Sequence, residues 1–220
     1  AAHLSESAAV DELVVFDVVD GLASRWADEN SGEVADSVTS AVTGAEFIIT
    51  SLPADQELQV VADELVPTIA TGAVWVDHST VSARLARTVN ASVSAADAYF
   101  LDAPVSGGVD GARKGVLTVM VGGDEGAFAR AEPVVGSYAS RIRRMGGPGA
   151  GQLTKMTNQI CVVGLCQALA EGLDFASRAG LDVENVVEAM LQGSSTSWQM
   201  ENRAGKMLEG DYDFGFSTTL

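Results

Sequence analysis

Val74-Trp75-Val76, a helical pattern over 82–95, and Tyr99-Phe100-Leu101 form the stretch that decides the fold. A short β-branched and aromatic run, a longer run of helical periodicity and a second apolar run predict a βαβ unit with parallel strands. The alternation continues on both sides. Apolar runs recur at Leu13-Val14-Val15-Phe16, Phe47-Ile48-Ile49 and Val116 to Val121, with helical patterns over 20–29, 55–66 and 125–136. Strands that read as continuous apolar runs are covered on both faces, so the pattern predicts an α/β fold with an open, doubly wound sheet. A last strand near Ile142 leads into Gly146-Gly147-Pro148-Gly149-Ala150-Gly151.

Beyond that loop the pattern changes. Gln152 to about Ala179 reads as one long apolar helix, stopped by Gly180, and two more helices follow near 182–192 and 197–208. The expected division is an α/β domain over 1–147 and, over 148–220, a long helix opening an all-helical domain. The chain starts on a helix fragment, Ala1 to Ser7, before its first strand. A doubly wound dinucleotide domain begins with a strand and a Gly-rich turn. Neither lies within these residues, so the chain is read as trimmed at both ends.

Composition narrows the function classes. With 13 Lys+Arg against 30 Asp+Glu, the net charge is −17, which repels phosphate backbones and anionic lipid heads. Neither nucleic acid nor a membrane surface is an expected partner. Cys161 and Cys166 cannot build a disulfide framework and are expected to be buried thiols. No apolar stretch is expected to reach the roughly 20 residues of a membrane span, and no signal peptide is seen. A soluble, cytoplasmic protein is expected, with no metal site. Lys114, Lys155 and Lys206 are its only lysines.

Chemistry could sit at several points. Asp17 ends the first apolar strand, where an acidic residue of a dinucleotide fold holds the adenosine ribose hydroxyls. Val18, Val19 and Asp20 follow, with no arginine for a 2′-phosphate, so the electrostatics favour NAD over NADP. The alternative is that Asp17 only begins the next helix. Leu52-Pro53 and Ser79-Thr80 follow strands at the carboxyl edge, where such sheets bind ligands, although Ser and Thr there also serve as helix caps. His78 beside them is either an acid–base group or a structural histidine. In Asp102-Ala103-Pro104-Val105-Ser106-Gly107-Gly108, a serine and two glycines can make an amide nest for a carboxylate, or a turn between strands. In Gly149-Ala150-Gly151-Gln152-Leu153-Thr154-Lys155-Met156-Thr157-Asn158-Gln159, helical spacing puts Asn158 and Gln159 on the face of Lys155. Burial would lower the lysine pKa towards a general-base range; the alternative is a lysine at an exposed edge.

Taken in order, these blocks resemble the β-hydroxyacid dehydrogenase family, relatives of 3-hydroxyisobutyrate dehydrogenase and of tartronate semialdehyde/glyoxylate reductases. The most specific are D-A-P-V-S-G-G at 102–108, G-V-L-T-V-M-V-G-G at 115–123 and G-A-G-Q-L-T-K-M-T-N-Q at 149–159, supported by F-D at 16–17, S-L-P at 51–53 and D-H-S-T at 77–80. The resemblance implies a Rossmann-type NAD(P) domain, a long interdomain helix and a helical domain, in a homodimer or homotetramer. It implies an oxidoreductase acting on a small carboxylate substrate. Lys155 would be the catalytic acid–base; Ser106, Gly107, Gly108, Asn158 and Gln159 would bind substrate; Asp17, Leu52, Pro53 and Thr80 would bind NAD. A different class, a non-catalytic dinucleotide-binding or interaction module on this fold, is set apart by loss of the lysine, which is present here.

Overall fold

The computed structural model describes residues 1–211, so the 212–220 end of the expected second domain lies outside the described residues. In chain order come α1 (Ala2–Ser5), β1 (Val14–Val15), α2 (Leu22–Glu29), β2 (Glu33–Val34), α3 (Val38–Val42), β3 (Phe47–Thr50), α4 (Asp55–Leu65), β4 (Val74–Asp77) and α5 (Ala83–Ala95). Then follow β5 (Tyr99–Asp102), β6 (Val105–Ser106), α6 (Gly108–Arg113), β7 (Leu117–Gly122), α7 (Glu125–Val135), β8 (Ala139–Gly146), α8 (Ala150–Arg178), α9 (Val183–Leu191) and α10 (Trp198–Glu209). Two compact units divide the chain, Ala1–Lys155 and the residues from Met156 onwards.

In the first unit, β3, β4 and β5 pair in parallel with matched register. Every residue of β4 is buried, as an apolar run covered on both faces requires. Alternate residues feed two cores. Val74, Val76 and Leu101 pack with Ala127, Ala131 and Val134 of α7. Trp75 and Phe100 pack with Leu58, Ala62 and Leu65 of α4 and Ala86, Val89 and Val93 of α5. Trp75 and Phe100 are direct neighbours across β4 and β5 and meet edge-to-face at 5.1 Å. Helices thus cover both faces, as a doubly wound sheet demands.

The sheet is mixed rather than wholly parallel. β5 and β6 pair antiparallel with β7 in one continuous register, and β8 pairs with β7 in parallel. Pro104 sits at the break between β5 and β6 and still contributes its carbonyl, which accepts from Met120 N–H at 3.1 Å. β1 and β2 form a separate two-stranded parallel sheet.

In the second unit, Leu169 and Leu173 of α8 pack with Met200 and Ala204 of α10 and with Val183, Val187 and Met190 of α9. Gly180, at φ +74°, ends α8 by the left-handed turn expected of it, with Leu181 N–H returning to Ala176 O. Two expectations fail on this helix. Cys161 is exposed and Cys166 only half-buried, because little of α8 in this stretch is covered. By length and composition α8 is also apolar enough to cross a membrane, with mean hydropathy 1.4 over its window. The apolarity is spread over Ala, Gly, Cys and Val among polar residues, so no uninterrupted run signals it.

α8 starts almost in contact with the sheet. A Cβ on Gly151 would overlap the main-chain oxygens of Asp102 and Met120, whereas a Cβ on Gly164 of the same helix meets nothing within 4 Å. Gly151→Ala is therefore expected to cost at least about 2–3 kcal/mol in urea unfolding. Gly164→Ala should cost nothing, because alanine is the better helix former by about 1 kcal/mol. Equal effects of the two substitutions would contradict the close approach.

Candidate active site

The apolar runs of β3, β4 and β5 each end on a polar residue, and parallel register sets these side by side: Thr50 opposite Asp77, and Asp77 opposite Asp102. Gly122 continues the row on β7. A Cβ on Gly122 would overlap Asp102 Oδ1 and lie 2.7 Å from Gly151 N. The absent side chain makes room for the Asp102 carboxylate and the start of α8. Asp102 is 1% exposed. It accepts from Gly149 N–H at 2.7 Å on Oδ1 and from Gln152 N–H at 2.9 Å on Oδ2. A carboxylate here satisfies N-terminal amides of the helix and complements its dipole. Burial pushes the Asp102 carboxyl above its ordinary range, opposed by those amides.

Asp77, fully buried, is also raised by burial. Its Oδ1 accepts from Thr50 Oγ1 at 2.7 Å and Ser79 Oγ at 2.5 Å, while Oδ2 has no hydrogen-bond partner among the described residues. Trp75 Nε1–H donates to Thr50 Oγ1, and Leu52 N–H to Ser79 Oγ, both at 2.8 Å. The Leu52-Pro53 loop is thereby tied to the Ser79-Thr80 loop. Gln152 Nε2 donates to Ser79 O at 2.8 Å, and Val81 N–H donates to Gln152 Oε1 at 3.1 Å. Thr80 between them is exposed.

Lys155, one turn beyond Gln152, is half-buried and donates from Nζ to Val105 O at 2.9 Å. Burial lowers its pKa. That bond sets the ammonium next to the segment carrying Ser106 in β6 and Gly107 and Gly108, at φ +128° and +61°. Both glycines hold left-handed backbone, which L side chains rarely adopt. The segment is a short strand turning into α6 rather than a plain turn between strands. Asn158 and Gln159 follow on α8 within the second unit, where Asn158 Nδ2 donates to Gln159 Oε1 at 3.0 Å. Asp17 is exposed just beyond β1, and its Oδ1 accepts from Val19 N–H at 2.8 Å, a local turn ahead of α2. The first unit thus links Leu52, Thr80, Val105 and Lys155 through hydrogen bonds of their own segments, while Asp17 lies just beyond β1 of the separate β1–β2 sheet.

His78 is engaged on both sides. Its Nδ1–H donates to Ala103 O at 2.6 Å, and the Tyr138 hydroxyl donates to Nε2 at 2.7 Å. These bonds make it a neutral bolt behind the 102–108 segment. Gln199 is buried among Cys166 and Arg203 in the second unit, and Trp198 is exposed beneath the Arg203 guanidinium. Asp102 and Gln152 carry structural tasks that spacing alone does not reveal. The available signal was a polar residue closing an apolar strand, and another in the first turn of an apolar helix. Among the described residues no three His, Cys, Asp or Glu side chains gather as metal ligands.

Residues 3–147 match the family of the NAD-binding domain of 6-phosphogluconate dehydrogenase. Residues 149–220 match the NAD-binding domain of NADP-dependent 3-hydroxyisobutyrate dehydrogenase. An uncharacterised oxidoreductase of Shewanella frigidimarina is 44% identical over 94% of this chain and 72% of its own length. The 3-hydroxyisobutyrate dehydrogenase of Pseudomonas aeruginosa is 37% identical over 78% of this chain, which spans 59% of that protein. A solved structure of Mycobacterium tuberculosis 3-hydroxyisobutyrate dehydrogenase with L-serine superposes with a TM-score of 0.86 at 31% identity, covering 92% of this chain and 69% of that one.

Burial holds the His78 imidazole below its ordinary range. The unfolded chain is then the stronger proton binder, so stability falls as pH drops below the free-histidine value of about 6.5. Urea midpoints measured from pH 8 to pH 5 should decline towards acid, and the decline should flatten in His78→Gln. Parallel pH profiles for wild type and variant would rule out a neutral His78.

Proposed function

The chain belongs to the β-hydroxyacid dehydrogenase family, and on that ground we propose that it transfers a hydride between NAD(H) and a small β-hydroxy acid or its semialdehyde. Lys155 is the acid–base of this reading. The observation that carries it is the bond from Lys155 Nζ to Val105 O, beside Ser106, Gly107 and Gly108.

The residues suit a dinucleotide at both of its ends. Asp17 with Asp20 forms an acidic, exposed corner beyond β1 that accepts from a ribose diol and repels a 2′-phosphate. NAD is therefore the cofactor proposed, rather than NADP. Leu52, Pro53 and Thr80 line it at the carboxyl edge of β3 and β4. When bound, the nicotinamide accepts a hydride in one direction and gives it in the other.

Ser106 and the amides of Gly107 and Gly108 hold the substrate carboxylate, and Asn158 and Gln159 are further substrate-binding residues of this reading. In oxidation, neutral Nζ of Lys155 takes the hydroxyl proton as the carbon-bound hydrogen leaves with both electrons. In reduction, the ammonium returns that proton to the new alkoxide. Partial burial supports the role, because it raises the neutral fraction at a given pH.

The unit of function proposed is a cytoplasmic homodimer or homotetramer, in keeping with the exposed apolar residues Ile160 at 74% and Phe175 at 72% on α8.

Steady-state kinetics of the full-length protein with hydroxy acids and semialdehydes test the reading. Lys155→Ala should lower kcat by about 10²–10⁴-fold and leave NADH binding little changed; near-wild-type turnover would sink the mechanism. Oxidation by the wild type should quicken as pH rises towards the lowered lysine pKa, and reduction should slow above it. Side-by-side titration with NADH and NADPH should favour NADH, and a clear NADPH preference would remove Asp17 from its assigned place.

A further inference from the structure

Gln152 is 1% exposed and spends its whole carboxamide on one loop. Nε2 donates to Ser79 O and Oε1 accepts from Val81 N–H, so the two bonds grip the peptide groups on either side of Thr80. The donor and acceptor order is fixed, since a main-chain carbonyl only accepts and a main-chain N–H only donates. The grip has no slack at its root either: Gln152 N–H is held by Asp102 Oδ2. Within the gripped loop, Ser79 Oγ is tied to Asp77 and accepts from Leu52 N–H. Thr80 stays exposed between two immobilised peptides, while Lys155 stands one turn along the same helix.

We propose that Gln152 is a positioning residue for hydride transfer, setting Thr80 on the nicotinamide side against Lys155 on the substrate side. The inference rests on the function proposed above. Loosening the grip displaces one wall of the site relative to the proton carrier, and a misplacement of about 1 Å costs about 10²-fold in rate.

The test uses the full-length protein, NADH deuterated at the transferred position, and the variants Gln152→Met and Gln152→Glu. Gln152→Met keeps the volume and removes both bonds. It is expected to lower kcat by about 10²-fold, leave KM for the carboxylate substrate near wild type, and enlarge the deuterium isotope effect on kcat as hydride transfer becomes limiting. A purely structural role predicts a lower melting temperature and smaller active fraction, with an unchanged isotope effect, and that result overturns the proposal. Gln152→Glu supplies the second reading and stands alone if the methionine variant does not fold. A protonated glutamic acid reproduces both bonds, donor to Ser79 O and acceptor from Val81 N–H. Asp102 accepts from the main-chain N–H of residue 152, Asp77 accepts from the Ser79 hydroxyl of the gripped loop, and Lys155 shares the helix, so the variant's deficit and its enlarged isotope effect should both shrink as pH falls, relative to wild type. A deficit that does not change with pH overturns the positioning role. Absence of NADH oxidation by the wild type with every semialdehyde tried would instead be failure of the proposed function, and the inference would fall with it.

Discussion

A buried carboxylate under a helix N-terminus organises the first unit. Asp102 meets the Gly149 and Gln152 amides, and this single contact decides where α8 starts and in which rotation it leaves the sheet. An isolated carboxylate at that depth would be costly, but the amides satisfy it and the helix dipole favours it. The contact is possible only because Gly122 and Gly151 lack side chains. From that anchor the helix delivers Gln152 to the Thr80 loop and Lys155 to Val105. Move the anchor, and three separate segments lose their common reference.

The polar row behind it is unusual in a core of this kind. Thr50, Asp77 and Asp102 lie side by side at the carboxyl edge, with Ser79, Trp75 and the Leu52 amide completing their bonds. Burial pushes both of these neighbouring carboxyls upward, and hydrogen bonds to each oppose that shift. The Leu52 and Ser79 loops are tied to this row by hydrogen bonds, and Thr80 within them is exposed. A net charge of −17 disfavours an anionic substrate overall, and the function proposed above would meet it locally, with one lysine and a pair of left-handed glycines.

Long elements were legible because each carries many repeats of its period. The helices over 55–65, 83–95 and 125–135 and the strands at 47–50, 74–77 and 99–102 agree with the apolar pattern to within a residue or two. β2, β6, α3 and α6 were not legible. Elements of two to six residues complete too little of a period to be told from loop; β2 and β6 are paired by β1 and β7, and α3 is closed by its own capping box of Ser37 and Ser40. The buried thiols expected at Cys161 and Cys166 failed for a related reason. Apolarity on a helix shows which residues avoid water, not which neighbour covers them.

For the site, residue type and order in the sequence determined the chemistry on offer: a lysine in the first turns of an apolar helix, a Ser-Gly-Gly segment after a strand, and an acidic residue at a strand end. Composition and periodicity determined the layered α/β architecture and the helical segment after it. Only the tertiary structure decided that Asp102, Gln152 and His78 bind these pieces to one another, since residues 25 to 73 positions apart in the chain meet there. It also decided that β1 and β2 stand as their own sheet and that β7 runs antiparallel to β5. The physical reason is the same in each case. Local sequence carries the propensity and the functional group, but a hydrogen bond requires two partners in register, and register between distant segments is set by packing.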